Sequence, residues 1–464
     1  TGTHPERWDK VEKLQDRLAS NGWATGMVAG NVYLSSNFEM ADGWGMHQCI
    51  NWPQGSVQIQ RGLAFLERYR DQDAFLMLHL MDMHLPYTEP FQYRSLFAGS
   101  PPSELGSSYF LRHEITRAAR TMGEDGKAYV RGRYDNNMRY LDDQLARFFQ
   151  RIGDDAVVMI VSDHGEEFWD HGGFEHGHTL YDELLRVPMI LKGPGIEPGV
   201  FRAPTSLIDV APTFAGIAGV DGAGMEGSDL RLLASGKATD MFRQRPQAFG
   251  RPLYGLRRWG SLENGTKFMV HQGVEELYDL DSDPGEQVNL ATTVDTADAK
   301  RAIGTALDRP VGAVWRMVLD KSSSGDAVTV TLNAAVAAAW VGDDPTMKGK
   351  ASVSIETDKT VIRWPKQRGM VEVFLVPPDP LPDALEVGMS IGKRTGLRSV
   401  VLVGRDRPKA GRPDNLFTER LAGRQIRMTT TVAPIPSDVD GTIQGFDAEV
   451  AGDLESLGYI DSED

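Results

Sequence analysis

The sequence predicts an α/β layer fold with a largely parallel sheet, because continuous apolar segments alternate with helical patterns along its first half. The apolar segments, each of a length typical of one buried strand, occupy residues 24–29, 74–81, 155–162 and 187–191. The helical patterns occupy residues 5–21, 57–70, 127–150 and 206–219. In such sheets ligands bind at the carboxyl ends of the strands. The residues that directly follow the apolar segments are therefore the first candidates for a functional site.

The pattern changes after about residue 235. Helical periodicity fades, and short strand-like segments alternate with Gly, Pro and Asp residues. These segments occupy residues 267–270, 276–280, 327–332, 351–356, 361–364 and 371–376. Residues 305–445 are therefore predicted to form a mostly β region, which could bind a carbohydrate or a partner or have a structural role alone. Trp340 and Trp364 could stack on a sugar there, although strand tryptophans more often pack in a core. Helical spacing returns at residues 447–459.

Charge and composition exclude some classes of function. The net charge of −16 over 464 residues argues against a nucleic-acid-binding protein and against docking on an anionic membrane. Cys49 is the only cysteine, so no disulfide can form within the chain. The sequence has no apolar run of membrane-spanning length, and it begins at Thr1 without a Met. An acidic protein that takes an anionic substrate needs a local positive centre, which a metal ion supplies.

Four of the ten histidines lie within one short segment, at positions 164, 171, 176 and 178. Asp163 and His164 end the third apolar segment, and a carboxylate beside an imidazole offers two ligands for a divalent metal. His176 and His178 return after a Gly-rich loop and could bind the metal or an ester oxygen. We interpret His171 as structural, and Glu166 and Glu167 as solvated or hydrogen-bonding rather than catalytic.

A second candidate site follows the second apolar segment, in the stretch FLMLHLMDMHLPYTEP. Pro86 restricts Leu85 to an extended conformation and stiffens the turn, which directs His84 back over the strand end. A histidine there could donate to a substrate oxygen or protonate a leaving group. His79, inside the strand, is predicted only to pack. We expect Asp163, His164, His84 and His176 to converge at one edge of a single parallel sheet.

Together these motifs resemble the sulfatase family of the alkaline phosphatase superfamily. The motifs that carry the resemblance are SDHGE, the HG…HG loop, LYDE…RVPMI and the HLPY turn. Further stretches agree with it: GMVAGNVYLSSNFEMADGW, SLIDVAPTFAGIAG, TKFMVHQGVEELYDLDSDPGEQVNLA and DLESLGY. The resemblance covers roughly residues 5–292 and 447–460.

The resemblance implies a doubly wound α/β domain with a smaller C-terminal antiparallel sheet. It divides the chain into a catalytic core at 1–234, an antiparallel subdomain at 235–304, the β-rich insertion at 305–445 and a C-terminal helix at 446–464 that returns to the core. It implies hydrolysis of sulfate esters with one divalent metal ion, which would be calcium, manganese or zinc. An alternative activity is hydrolysis of a phosphoester or phosphonate ester, or phosphoethanolamine transfer.

The resemblance also implies a role for each candidate residue. Asp163 and His164 match the metal-binding pair, and His84 and His176 match substrate-contacting and catalytic positions. His178 is a further candidate for substrate binding. Many sulfatases have Asn in place of His164 and Lys in place of His176, and imidazole ligands favour manganese or zinc over calcium.

The sequence departs from the family pattern at the nucleophile. In the family, two metal-binding carboxylates and a Cys, Ser or Thr nucleophile precede the segment that matches residues 5–30. Cys49 stands in HQCINWPQG, which lacks the Cys-x-Pro-x-Arg pattern. The chain is therefore expected to be an inactive fragment of such an enzyme, or a catalytically dead relative that only binds.

The resemblance further implies a small anionic ester as the partner, on a carbohydrate or a lipid, and no nucleic acid. It favours a periplasmic, extracellular or membrane-anchored location. Membrane association would require a segment that precedes Thr1.

Overall fold

The computed structural model describes residues 12–36, 40–102, 122–251, 258–271, 274–307, 311–319, 327–341, 351–364, 371–378, 382, 384–391, 393–401, 415–421 and 424–434. These residues form two compact units. The first runs to His176 and includes Arg186–Phe242, and the second combines Gly177–Leu185 with the residues from Arg243 onwards. The predicted helix at residues 447–459, and with it the segment 446–464, lies outside the described residues.

The first unit contains the predicted parallel sheet. Strands β1 (Ala24–Ala29), β2 (Met46–Cys49) and β3 (Ala74–His79) pair in parallel in the order β2–β1–β3. The α-helices described up to residue 244 are Leu14–Ser20, Gly55–Arg68, Glu124–Ile152, Val210–Ala218, Leu230–Ala234 and Thr239–Gln244, apart from the short helix Asp182–Leu185, which belongs to the second unit. One-turn 3-10 helices occupy Val32–Leu34, Phe91–Tyr93 and Leu207–Asp209. The α/β class predicted from the alternating pattern is confirmed.

The helix Gly55–Arg68 lies close against this sheet because two glycines leave room for it. A Cβ atom on Gly26 of β1 would lie 2.8 Å from the ring of Phe65, and one on Gly62 would lie 2.8 Å from the side chain of Leu78. Every residue of β1 is buried, as its continuous apolar sequence predicts. The carboxyl end of β3, at His79, opens into the loop that carries His84.

The strand that leads to Asp163 differs from the expectation of a single sheet. Strand β4 (Val158–Val161) pairs antiparallel with β7 (Met189–Lys192), and no ladder in the described part of the chain joins it to β1–β3. Along the chain, the segment between β4 and β7 contains the short hairpin of β5 (Glu167–Phe168) and β6 (Phe174–Glu175) and the four-residue helix Asp182–Leu185. A parallel neighbour requires a crossover connection, usually a helix. The connection from β4 to β7 contains only the β5–β6 hairpin and a four-residue helix, and β7 pairs antiparallel with β4.

The second unit begins with a four-stranded antiparallel sheet in the order β11–β10–β9–β8. Its strands are β8 (Gln247–Arg251), β9 (Arg258–Glu263), β10 (Thr266–His271) and β11 (Val274–Asp279). The helix Ala297–Leu307 packs on this sheet and also contacts β12 and β21 of the region that follows. The boundary proposed at residue 305 falls inside this helix, and the four-part division of the chain stays a prediction.

Two five-stranded antiparallel sheets follow, in the orders β14–β17–β12–β21–β20 and β15–β16–β13–β18–β19. Their strands are β12 (Val311–Leu319), β13 (Val328–Leu332), β14 (Ala338–Val341), β15 (Ser352–Ile355), β16 (Thr360–Trp364), β17 (Val371–Val376), β18 (Ala384–Ile391), β19 (Arg394–Val401), β20 (Asn415–Leu421) and β21 (Arg424–Pro434). Both sheets contribute to one hydrophobic core, so this region is a β-sandwich. Trp364 is fully buried in that core, which excludes it as an exposed sugar-stacking residue.

Gly132, on the helix Glu124–Ile152, provides a test of the packing that supports the site. A Cβ atom there would lie 2.6 Å from the carbonyl oxygen of Phe97 and 2.7 Å from the Cα of Ala98. These are backbone atoms that cannot rotate away, so Gly132→Ala should lower the free energy of unfolding by about 1–3 kcal/mol. Denaturant unfolding followed by circular dichroism measures the loss. Gly99→Ala is the control, because a Cβ there meets nothing within 4 Å. Equal losses in the two variants would rule out the close approach.

Candidate active site

The loop that carries His84 is held in place by buried side chains and by hydrogen bonds to its backbone. Leu85 and Tyr87 are fully buried, and the Nδ1–H of His84 donates to the carbonyl oxygen of Leu85 at 2.7 Å. The buried guanidinium of Arg133 donates to the carbonyl oxygens of Pro86, at 2.8 Å, and of Tyr87. The long helix Glu124–Ile152 therefore holds the turn, and the turn holds the imidazole of His84 in one orientation.

Three of the predicted histidines lie together in the first unit. The ring centroids of His84 and His176 are 4.9 Å apart in an edge-on arrangement. The rings of His176 and His164 stack with centroids 4.0 Å apart. Asp163 lies beside them, with its Oδ1 atom 3.8 Å from Nε2 of His164. The predicted convergence is therefore present, although β3 and β4 belong to separate ladders among the described residues.

His178 does not belong to the unit that contains the other three histidines. It is half-buried and belongs to the segment Gly177–Leu185, which folds with the second unit. Its role in substrate binding stays a prediction from the sequence.

Glu166 has a larger role than its sequence context predicts. Its side chain is only 5% exposed. Its Oε1 accepts from Nδ1–H of His176 at 2.8 Å, and its Oε2 accepts from the hydroxyl of Tyr87 at 2.9 Å. Burial and the neighbouring Glu166 carboxylate raise the pKa of Tyr87 well above its usual value, so the phenol keeps its proton. The carboxylate thus joins the His84 loop to the loop that carries His176.

The neighbouring Glu167 has the hydrogen-bonding role that the sequence predicts. It is fully buried and accepts from the backbone N–H of His171 at 3.1 Å and of Gly173 at 2.6 Å. These bonds close the loop between β5 and β6.

Trp52 forms one wall of the group and was not predicted from the sequence. Its ring and that of His84 form a T-shaped pair with centroids 4.9 Å apart, and 38% of the residue is exposed. Its φ of 51° lies in the left-handed region, which a bulky side chain rarely adopts. The backbone N–H of Trp52 donates to the carbonyl oxygen of Gly30 at 3.1 Å, which helps to hold this conformation.

His79 ends β3 near the predicted metal pair. Its Nδ1 is buried and has no hydrogen-bond partner among the described residues. Burial lowers the pKa of His79; Asp163 opposes this effect, and His164 adds to it. The ring is therefore within electrostatic range of that pair, in addition to packing at the strand end.

Asp163 and His164 fit one side of a divalent metal site. The Nδ1–H of His164 donates to the carbonyl oxygen of Gly165 at 2.8 Å, a backbone bond typical of metal-ligating histidines that leaves Nε2 as the ligating nitrogen. The side chain of Asp163 is 70% exposed, and its carboxylate adjoins that nitrogen. No group of three or more potential ligands assembles within the described residues. A four-coordinate site would require further ligands beyond these two.

The first unit is an α/β domain whose candidate site is polar and lies at strand ends. Comparison with known proteins identifies its family. Residues 3–220 match the family model described as sulfatase, so this part of the chain is a sulfatase-family domain.

Curated relatives agree with this family. A choline-sulfatase of Rhizobium meliloti (strain 1021) is 30% identical over 36% of this chain and 34% of its own length. The sulfatase YidJ of Escherichia coli (strain K12) is 25% identical over 66% of this chain and 65% of its own length. The chain thus spans less than two thirds of either relative. A solved 2-O GAG sulfatase has a TM-score of 0.49 and 17% identity over 65% of this chain and 74% of that one.

Among the residues that the structure describes, no helix is both long and apolar enough to cross a membrane.

Proposed function

We propose that the chain forms most of a sulfuric ester hydrolase that requires a divalent metal ion. The observation that carries the proposal is the convergence of His84, His164 and His176 beside Asp163 at the strand ends of a sulfatase-family domain. Because the net charge is −16, binding of an anionic ester requires a local concentration of hydrogen-bond donors such as this one.

Each group has a distinct task in this proposal. Asp163 and Nε2 of His164 bind the metal, which when bound neutralises charge on the nonbridging oxygens of the ester. In its protonated form, each of His176 and His84 carries a hydrogen on Nε2 as well as on Nδ1 and donates a hydrogen bond to an ester oxygen, and one of them protonates the leaving alcohol. Their nitrogens are already oriented by Glu166 and by the carbonyl oxygen of Leu85, so little order has to be gained when substrate binds.

The organic part of the ester is proposed to lie against Trp52. This ring is the exposed aromatic surface beside His84, and an aromatic face accommodates an aryl group or the apolar face of a sugar. The proposed substrate is therefore a sulfate ester of a phenol or a carbohydrate. We also propose a periplasmic, extracellular or membrane-anchored location, which the resemblance favours.

A phosphoester or phosphonate ester is the second candidate substrate. Imidazoles stand at 164 and 176, where the family resemblance predicts Asn and Lys. A Lys would supply a fixed positive charge, whereas a histidine supplies one only when protonated, with an ordinary pKa of about 6.5. Imidazole ligands also favour manganese or zinc over calcium. Assays of the full-length protein with an aryl sulfate and an aryl phosphodiester distinguish the two candidates by their kcat/KM values.

The chain as given is predicted to lack turnover, because it contains no residue that matches the family's nucleophile. The purified chain, loaded in turn with calcium, manganese and zinc, should hydrolyse neither an aryl sulfate nor an aryl phosphodiester. The full-length protein should hydrolyse one of them and lose that activity in EDTA. Metal-dependent turnover by the chain alone would show that it contains its own nucleophile. Absence of turnover by both proteins would favour a relative that only binds.

A further inference from the structure

We propose that Glu166 is a positioning residue that fixes His176 as its Nδ1–H tautomer, and that Tyr87 fixes Glu166. The consequence for catalysis rests on the proposed function, whereas the tautomer itself does not. No motif used to predict the site assigns either residue such a role.

The hydrogen-bonding capacity of a carboxylate dictates the tautomer. An ionised carboxylate only accepts hydrogen bonds, so the Tyr87 hydroxyl and Nδ1 of His176 must donate to Glu166. The Tyr87 hydroxyl lies 2.9 Å from Oε2 of Glu166, and Nδ1 of His176 lies 2.8 Å from Oε1. Nδ1 therefore carries a hydrogen, and in the neutral ring the lone pair is on Nε2. The opposite tautomer would place two acceptors 2.8 Å apart in a buried environment, which is unfavourable.

Burial makes this arrangement selective. The side chains of Glu166 and His176 are 5% and 12% exposed, and Tyr87 is fully buried. Water therefore has little access to replace either bond, and hydrogen bonds to a charged group strengthen in such surroundings. The His176 ring is also stacked on His164, which limits its rotation.

Tyr87 links the two halves of the candidate site through this carboxylate. It lies on the turn whose carbonyl oxygens accept from His84 and Arg133, and its φ of 56° lies in the left-handed region. A non-glycine residue keeps such a conformation when its surroundings enforce it. The Glu166 carboxylate thus bridges the His176 ring and the turn that carries His84.

Nitrogen-15 NMR of the histidine side chains tests the tautomer in the chain as it exists. At about pH 9, imidazoles of ordinary pKa are neutral, and protonated and unprotonated ring nitrogens give separate signals. The signals of His176 are assigned by their loss in His176→Asn. The wild-type ring should be the Nδ1–H form. In Glu166→Gln, the amide can direct its N–H₂ group at Nδ1, so a substantial fraction should change to the Nε2–H form.

Two further variants keep the test decisive if Glu166→Gln folds poorly. Tyr87→Phe removes only the hydroxyl, and it should shift the His176 signals while the Nδ1–H form persists. Glu124→Gln, at a side chain that is 89% exposed, should leave them unchanged. A wild-type ring in the Nε2–H form would overturn the proposal. So would His176 signals that are unaltered in both Glu166→Gln and Tyr87→Phe.

Kinetics of the full-length protein test the consequence for catalysis. Glu166→Gln should lower kcat by about 100-fold or more with a much smaller change in KM, because a misoriented catalytic histidine impairs the chemical step more than binding. Glu124→Gln should match the wild type. A normal tautomer in a protein that hydrolyses neither ester would contradict the proposed function alone, and an altered tautomer without a fall in kcat would contradict the positioning role.

Discussion

Asp163→Asn in the full-length protein is expected to lower kcat/KM for an aryl sulfate by at least about 100-fold. Outer-shell partners of metal ligands already account for about 10–100-fold in metal affinity or activity, and a ligand should account for more. The variant keeps the shape of the side chain, and its Oδ1 can still accept the hydrogen bond that the backbone N–H of His164 donates at 3.1 Å. Because the Asp163 side chain is 70% exposed, its neutralisation should leave the stability of the protein unchanged.

Metal content and thermal unfolding measured on the same preparations distinguish a ligand from a structural acid. Asp163→Asn should bind less manganese or zinc in elemental analysis and unfold at the wild-type temperature. Asp155→Asn is the matched control, because Asp155 is exposed just before β4 and should alter neither property. Full metal occupancy in the Asp163 variant would exclude this residue as a ligand. An equal loss of activity in both variants would indicate a general effect of charge.

The local signals in the sequence were sufficient to predict that three candidate histidines lie together. His84, His164 and His176 each follow an apolar strand or lie in the loop after one, and strand ends meet at one region of an α/β domain. What the sequence did not contain was the pairing of β4. An apolar segment has the same composition whether its neighbour is parallel or antiparallel, and the hairpin of β5 and β6 consists of strands too short to have a period.

The role of Glu166 could not be predicted because its partner is distant in the chain. Glu166 and Glu167 are adjacent acids in the same motif, and nothing local distinguishes them. The distinction arises from Tyr87, 79 positions earlier. The contact of Trp52 with His84 could not be predicted for a similar reason, since only the folded chain brings the two rings together.

The β-sandwich was predicted as β-rich, but several of its strands were missed. Strand β12 contains Arg316 at its centre, and a buried arginine interrupts an apolar pattern. Its charge is paired with Glu372, 56 positions later, at 2.7 Å. The helix Ala297–Leu307 was missed as well, because Ile303 and Leu307 are the only large apolar residues in its sequence ADAKRAIGTAL and a glycine lies in its interior.

Lys267→Met should be the most destabilising of the substitutions considered, and it acts in the second unit. The ammonium group of Lys267 is buried at 1% exposure and pairs with Glu286 at 2.7 Å and with Asp182 at 2.8 Å. Glu286 also accepts from the backbone N–H of Asp182 at 2.6 Å, which ties the segment Gly177–Leu185 to the antiparallel sheet. Removal of the cation leaves two carboxylates without their shared partner. Loss of one member of a buried ion pair typically costs about 3–5 kcal/mol.

The pH dependence identifies the uncompensated charge as the cause. Burial already raises the pKa of Glu286 above its ordinary value, although Lys267 opposes this effect, and without Lys267 the pKa should rise further. A raised carboxyl pKa favours the protonated form in the folded state, so the penalty exists above that pKa and disappears as the pH falls below it. The loss of stability in Lys267→Met should therefore be smaller at mildly acidic pH than at neutral pH.

Hydrogen exchange of peptides from β10 and β11 measures this loss within the second unit, where a single melting temperature for the whole chain would not. Lys359→Met is the matched control, because Lys359 pairs with Glu356 at an exposed position on the same unit, and it should change exchange little. Equal exchange in Lys267→Met and the wild type at neutral pH would contradict the predicted loss of stability. A loss that is the same at both pH values would instead assign it to packing of the lysine side chain, since a packing defect does not depend on the protonation of Glu286.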